Sequence, residues 1–302
     1  MVGAIRQALN AWQDDPAIHA VVIEGAGGRA FCAGGDIRQV RDASLAGRHT
    51  EIEAFFVDEY AVNLQIARYP KPYIALIDGV CMGGGIGLSV HGSTRVVTDA
   101  AMLAMPETGI GLFPDVGASY LLPRLRPGFG MYLALTGARI HGPDAAYLGL
   151  ATHYVSRERI AVLADEIAED GIAALAGAAL PLPPSPLAAL AQDVRCFDAP
   201  DVPAILRALE AMDTGWSRDT LATLRAMSPS SVLWSFELVR RGAGRTLPEC
   251  LAAELALTRH ATRHPDFIEG VRAMVVDKDR TPRWSPTRIE DVDQASTSAL
   301  FA

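Results

Sequence analysis

Glu107 and Asp115 stand eight residues apart in the segment Met105 to Gly117, whose other members are Pro, Thr, Gly and apolar residues. Two carboxyl groups in one stretch can divide the labour of acid and base, provided their surroundings push their proton affinities apart. Ile110, Leu112, Phe113 and Val116 supply such surroundings, because a carboxylate among them loses hydration and the segment holds no Lys or Arg to neutralise it. Gly109, Gly111 and Pro114 argue against a regular helix, so the pair is expected on a shaped loop. Helix capping or a surface position would account for the same two residues without chemistry.

Two glycine-rich runs offer a second kind of chemistry that needs no side chain. Phe31-Cys32-Ala33-Gly34-Gly35-Asp36 and Met82-Gly83-Gly84-Gly85-Ile86-Gly87 each follow an apolar run. Glycine there lets the backbone approach a ligand and aim N–H groups outward, as stabilising a developing oxyanion requires. The second run also opens a helix expected over 85–91, whose N-terminal dipole favours the same charge. Tight turns beside packed strands would use glycines in the same way.

The elements that position these loops are legible as periodicity. Val2, Ile5, Leu9 and Trp12 mark a first helix, and Ala20 to Ile23 form a β-branched run that ends in Gly25-Ala26-Gly27-Gly28. Helix, buried strand and glycine loop are the grammar of an α/β protein. The pattern repeats with a helix over 51–68, Pro70 and Pro72, and a strand over 73–77. A third strand over 95–98 precedes the apolar stretch 102–105, and the chain from 118 to 155 reads as helical, including 131–136 and 144–150. The stretch 171–192 lacks charge and is long enough to raise the question of a membrane span. Pro181, Pro183, Pro184 and Pro186 exclude one, and set a helix end near Leu180 followed by a linker. Helices are expected over 202–212, 230–241 and 247–263, and the polar tail after Trp284 is expected to be poorly ordered.

Composition narrows the classes. The 302 residues are half hydrophobic and 21% charged, with 27 Lys and Arg against 35 Asp and Glu, a net charge of −8. That balance gives no electrostatic basis for nucleic-acid binding, and the N-terminus lacks the order of a secretory signal. Cys32, Cys81, Cys196 and Cys250 form no CxxC pair, so neither a zinc cage nor a disulfide framework is expected; reduced thiols in a cytoplasmic protein are.

With these residues in view, the chain resembles the crotonase (enoyl-CoA hydratase/isomerase) superfamily. Ala30 to Ile37, Gly83-Gly84-Gly85 and Met105-Pro106-Glu107 carry the resemblance. Gly84 to Gly92, Met105 to Gly117, Ala151-Thr152-His153, Met227 to Ser231, Glu269 to Ala273, Asp277-Lys278-Asp279 and Pro282-Arg283-Trp284 are similar to its 3-hydroxyisobutyryl-CoA hydrolase branch. The resemblance implies an α/β spiral core of ββα units over 1–180 that binds acyl-CoA. It further implies a helical C-terminal region over 187–284 completing the acyl pocket, followed by a polar tail over 285–302. It places the thioester oxygen between the backbone N–H groups of Gly35 and Gly84, Ala33 against the CoA adenine, and Glu59 near the acyl group. Hydratases of the family use two glutamates; the first would fall at Gly87, which has no side chain, and the second falls at Glu107. Asp115 occupies the position the hydrolase branch adds.

The implied reaction is hydrolysis of a short branched 3-hydroxyacyl-CoA, 3-hydroxyisobutyryl-CoA, as in valine degradation. It needs no metal and no redox cofactor; the partners are the acyl-CoA substrate, with neither nucleic acid nor membrane, and with homo-oligomerisation left open. An enoyl-CoA hydratase or isomerase using Glu107 and Asp115 as its pair is the second reading, and a non-catalytic CoA-binding or oligomer-forming relic the third. Family members start with a β-hairpin that helps line the CoA site, whereas this sequence starts in the first helix. Either a late start or a true short form would produce that, and lack of the hairpin would expose a sheet edge and weaken CoA binding.

Overall fold

The structure is a computed structural model that describes residues 1–301. It divides into two compact units, one made of residues 1–34, 58–104 and 139–190, the other of 35–57, 105–138 and 191–302.

The first unit is built on two four-stranded sheets. β1 (Val21–Glu24), β3 (Tyr73–Ile77), β5 (Thr94–Val97) and β8 (His153–Tyr154) form one, in that order and all parallel. β2 (Ala30–Cys32), β4 (Val80–Met82) and β6 (Met102–Ala104) run parallel in the other, with β7 (Ile140–His141) antiparallel at its edge. Consecutive strands therefore go to different sheets: β1 then β2, β3 then β4, β5 then β6. That alternation is the ββα spiral expected of the core. β3 is central in its sheet and buried at all five positions, which is why it reads as a continuous apolar run. Ile74, Leu76 and Val96 pack on Ile160, Leu163 and Ile167 of the helix Arg157–Asp170, whose apolar face recurs at helical spacing.

Four helices have sequence-level causes. α1 (Val2–Trp12) buries Leu9, and α2 (Ile37–Leu45) is capped by Asp36, whose carboxylate accepts from Gln39 N at 3.1 Å. α3 (His49–Ala67) ends before Pro70, and α4 (Gly84–Ser89) starts directly on the second glycine run.

The second unit is mainly helical. α5 (Ala118–Leu121), α6 (Phe129–Thr136) and the helix Leu247–Ala261 pack around the helix Pro229–Gly242, which is buried on nearly every side. Ser228 starts that central helix, its hydroxyl accepting from Ser231 N while Pro229 occupies the first turn. Close approach is strict here: a Cβ on Gly242 would lie 1.9 Å from the Ser119 carbonyl oxygen.

Three expectations are corrected. The span 118–155 is not uniformly helical, because β7 and β8 interrupt it; strands of two residues have no period to read. The tail after Trp284 is ordered: Ile289 is buried in a 3₁₀ turn, Gln294–Ala299 is helical, and Arg241 donates to the Phe301 carbonyl. The spatial division also differs from the one expected along the chain. The proline-rich segment is no linker between separate bodies; buried Asp144 accepts from Ser185 Oγ at 2.6 Å and Leu187 N at 3.2 Å, tying it into the first unit.

Candidate active site

Within the first unit, β2 and β4 run side by side, so the loops at their ends emerge together. Gly34 (φ +104) and Gly83 (φ +51) turn the chain in the left-handed half of conformational space, where a side chain is strained. The loops lie backbone to backbone: a Cβ on Gly34 would stand 3.8 Å from Gly84 N, and one on Gly85 only 2.4 Å from Cys32 O. Gly83 caps α4, and the Ile86 N–H closes the first turn on the Gly83 carbonyl at 2.8 Å. Gly84 is the first residue of that helix, so its half-buried N–H has no acceptor inside the helix. The helix starts one residue earlier than expected and ends at Ser89. Ala33, at the end of β2, is exposed. Glu59 lies on α3 and is 8% exposed, while its neighbour Asp58 faces outward to Arg6 at 2.9 Å.

The second unit holds Gly35, Glu107 and Asp115. Gly35 is exposed, and a Cβ there would lie 2.9 Å from Phe55 Cζ. Both carboxyl residues are buried, Glu107 at 6% and Asp115 at 5% exposure, which removes the surface-position reading. Glu107 starts the 3₁₀ turn Glu107–Ile110, and Leu112 N donates back to its carbonyl at 3.0 Å.

Neighbouring segments hold that turn through the backbone. Ser228 N donates to the Thr108 carbonyl at 3.1 Å, and the Ser228 hydroxyl donates to buried Asp266 at 2.5 Å. The helix Pro265–Val271 comes so close that a Cβ on Gly111 would meet the Asp266 backbone at 2.3 Å, and one on Gly270 the Ile110 backbone at 2.4 Å. Gly270→Ala is therefore expected to destabilise the protein by about 1–3 kcal/mol, the cost of overpacking a tight contact. Denaturant midpoints measure it, and a parental midpoint would show that the helix slides away at no cost.

Asp115 lies next to an unusual turn. Val116 has φ +52, which a β-branched residue rarely adopts, and Gly117 follows at φ +85 before α5. Sequence reasoning missed the residue that meets this turn. Glu254, fully buried on the helix Leu247–Ala261, accepts from Gly117 N at 2.8 Å, Ser119 N at 3.0 Å and Ser119 Oγ at 2.5 Å. Burial pushes its carboxyl up and the negative charge of Asp115 acts in the same direction, while the three donors favour the ionised form and oppose them. A signal was present: Leu247, Leu251, Glu254, Leu257 and Thr258 recur at helical spacing, placing a carboxylate on a buried stripe.

Thiols offer no competing nucleophile at two positions, since burial pushes Cys81 up to about 12 and Cys196 up to about 11. The first unit presents a helix-start N–H at Gly84, and the second, taken by itself, presents two buried carboxyl residues, Glu107 and Asp115. Those are the parts that acyl-transfer chemistry uses.

The chain belongs to the enoyl-CoA hydratase/isomerase family, whose sequence model matches residues 1–301. Within that family it is similar to proteins named 3-hydroxyisobutyryl-CoA hydrolase, mitochondrial. The Rattus norvegicus protein is 41% identical over all of this chain and 81% of its own length, and the Homo sapiens protein is 39% identical over the same shares. Among solved structures, one named as a carnitinyl-CoA dehydratase from Mycobacterium thermoresistibile superposes with a TM-score of 0.95 at 38% identity, covering 100% of this chain and 88% of that one. The fold is thus the crotonase-type α/β architecture. No helix among the described residues is long and apolar enough to cross a membrane.

Proposed function

We propose that this protein hydrolyses the CoA thioester of a short branched 3-hydroxy acid, 3-hydroxyisobutyryl-CoA, to the free acid and CoA, a step of valine degradation. The observation that carries the reading is the pair of buried carboxyl residues on one loop, Glu107 and Asp115, in a chain that has Gly87 where a hydratase needs its first glutamate. The similarity to 3-hydroxyisobutyryl-CoA hydrolases at about 40% identity over the full chain supports the same substrate.

In this reading the thioester oxygen takes the N–H groups of Gly35 and Gly84, which favour the tetrahedral oxyanion over the planar ground state. Glu107 either attacks the carbonyl, forming an anhydride and releasing CoA, or takes a proton from the attacking water. Asp115 holds a proton or orients the water and the substrate hydroxyl. Glu59 lies near the acyl group and Ala33 against the adenine. The chemistry requires neither metal nor redox cofactor, and we assign it to a cytoplasmic protein that can act as a homo-oligomer.

A second reading, hydration of an enoyl-CoA, draws on the similarity to the solved structure named as a dehydratase. Thiol release separates the two, since only hydrolysis liberates CoA. Short 3-hydroxyacyl-CoAs are expected to release thiol, and crotonyl-CoA is expected to gain no water, because Gly87 has no group to move a proton. Formation of 3-hydroxybutyryl-CoA from crotonyl-CoA as fast as thiol release would replace the hydrolase reading with the hydratase one.

A further inference from the structure

We propose that Glu254 is a positioning residue for the hydrolysis: its carboxylate clasps the Gly117–Ser119 turn and so holds Asp115 in its working orientation. The inference rests on the role given to Asp115 above and adds a residue to it.

The turn is strained. Val116 and Gly117 are consecutive residues with positive φ, and a β-branched side chain is strained there unless its surroundings over-determine it. Locally the Asp115 carbonyl accepts from Ala118 N at 2.8 Å and the Gly117 carbonyl from Tyr120 N at 3.1 Å and Leu121 N at 3.0 Å, while Gly117, which caps α5, brings no side chain to the cap. Three donors of the turn, Gly117 N–H, Ser119 N–H and the Ser119 hydroxyl, end on Glu254, 137 and 135 residues away along the chain. One carboxylate thus replaces the missing cap from another helix.

Its chemistry is specific to that task. Three donors converge on two oxygens, so an acceptor-only group fits and an amide does not. The glutamine isostere would aim its NH₂ either at Gly117 N–H or at the Ser119 donors, and one half of the clasp would open whichever way it turned. The location is electrostatically unfavourable, with Asp115 close enough to oppose the charge on Glu254 and, among the described residues, no Lys or Arg bonded to the carboxylate. A neutral side chain would fill the space at less cost if packing were the only requirement. Cys250, one turn back on the same helix face, is buried and its thiol is pushed up by desolvation, so it adds no second negative charge beside Glu254.

The test is a double-mutant cycle between Glu254→Gln and Asp115→Asn, read by single-turnover thiol release alongside thermal melting. Glu254→Gln is expected to keep its fold and its KM while losing about ten- to a hundredfold in kcat, as a displaced catalytic group does. In the Asp115→Asn background the same substitution is expected to cost less than about twofold, because the group it positions is already gone. Ser119→Ala, which removes one donor and keeps Glu254, should show the same dependence on Asp115 with a smaller loss, and it decides the matter if Glu254→Gln does not fold. Parental kcat in folded Glu254→Gln, or in Ser119→Ala if the former does not fold, overturns the proposal. So does an equal loss in both backgrounds. An Asp115→Asn enzyme with full activity counts against the role of Asp115 itself, and hence against both readings. An impaired Asp115→Asn enzyme beside an unimpaired Glu254→Gln one counts against the clasp alone.

Discussion

Glu107→Gln is expected to lower kcat for 3-hydroxyacyl-CoA hydrolysis by about 10²–10⁴-fold, the range that a positioned acid–base group contributes. The amide matches the carboxylate in shape, so packing around the Glu107–Ile110 turn is retained while the ability to attack or to accept a proton is lost. Asp115→Asn is expected to fall in the same range, since in the proposed reaction the two carboxyls act as one unit and their deletions need not add. Inhibition by CoA should be nearly unchanged in both variants, because CoA ends at the thiol and leaves the acyl site empty. Single turnover in ¹⁸O water, with hydroxylamine trapping, then separates the two mechanisms open to Glu107. Label in the Glu107 carboxylate marks the anhydride route with water attacking the Glu107 carbonyl, whereas label confined to the released acid marks water attack on the acyl carbonyl, directly or in the anhydride, which trapping the acyl-enzyme with hydroxylamine separates. A fully active double variant would show that the pair is structural.

Gly84→Pro is expected to cost about 10²–10³-fold in kcat, the penalty for deleting one oxyanion donor. Its position makes the substitution unusually clean. Gly84 is the first residue of α4, where proline's fixed φ is accepted and where no intrahelical bond needs the N–H. Gly84→Ala, which keeps the donor, is the matched control. Melting temperatures separate loss of the donor from loss of the fold, and a folded proline variant losing less than about tenfold would put the oxyanion elsewhere.

Legibility in the sequence followed the length scale of each signal. The strand over 73–77 and the helix over 202–212 match the structure residue for residue, because a central buried strand and an amphipathic helix repeat their pattern long enough to be read. β7 and β8 were illegible, being two residues each and made by pairing alone. The order of the tail was hidden in the same way: Ile289 is a lone apolar residue among polar ones, and its burial comes from a distant partner surface. At the site, the glycine runs and Glu107-to-Asp115 segment stood out because glycine and isolated carboxylates are unusual in apolar text. Glu254 did not, since a glutamate in a helix is ordinary and only its place on the apolar stripe marks it.

The alternation of successive strands between two sheets has a kinetic consequence. No strand of the first sheet is hydrogen-bonded to its neighbour in sequence; Val21 pairs with Tyr73, and Ile74 with Thr94. Every ladder therefore waits on the closure of a long loop, the condition under which chains fold slowly and expose unpaired edges meanwhile. On a ribosome adding roughly 5–20 residues per second, Tyr73 would be synthesised roughly 3–10 seconds after β1, which waits unpaired until then. Fast translation across that interval, or a chaperone bound to β1, should raise the yield of native protein, and slow translation should lower it.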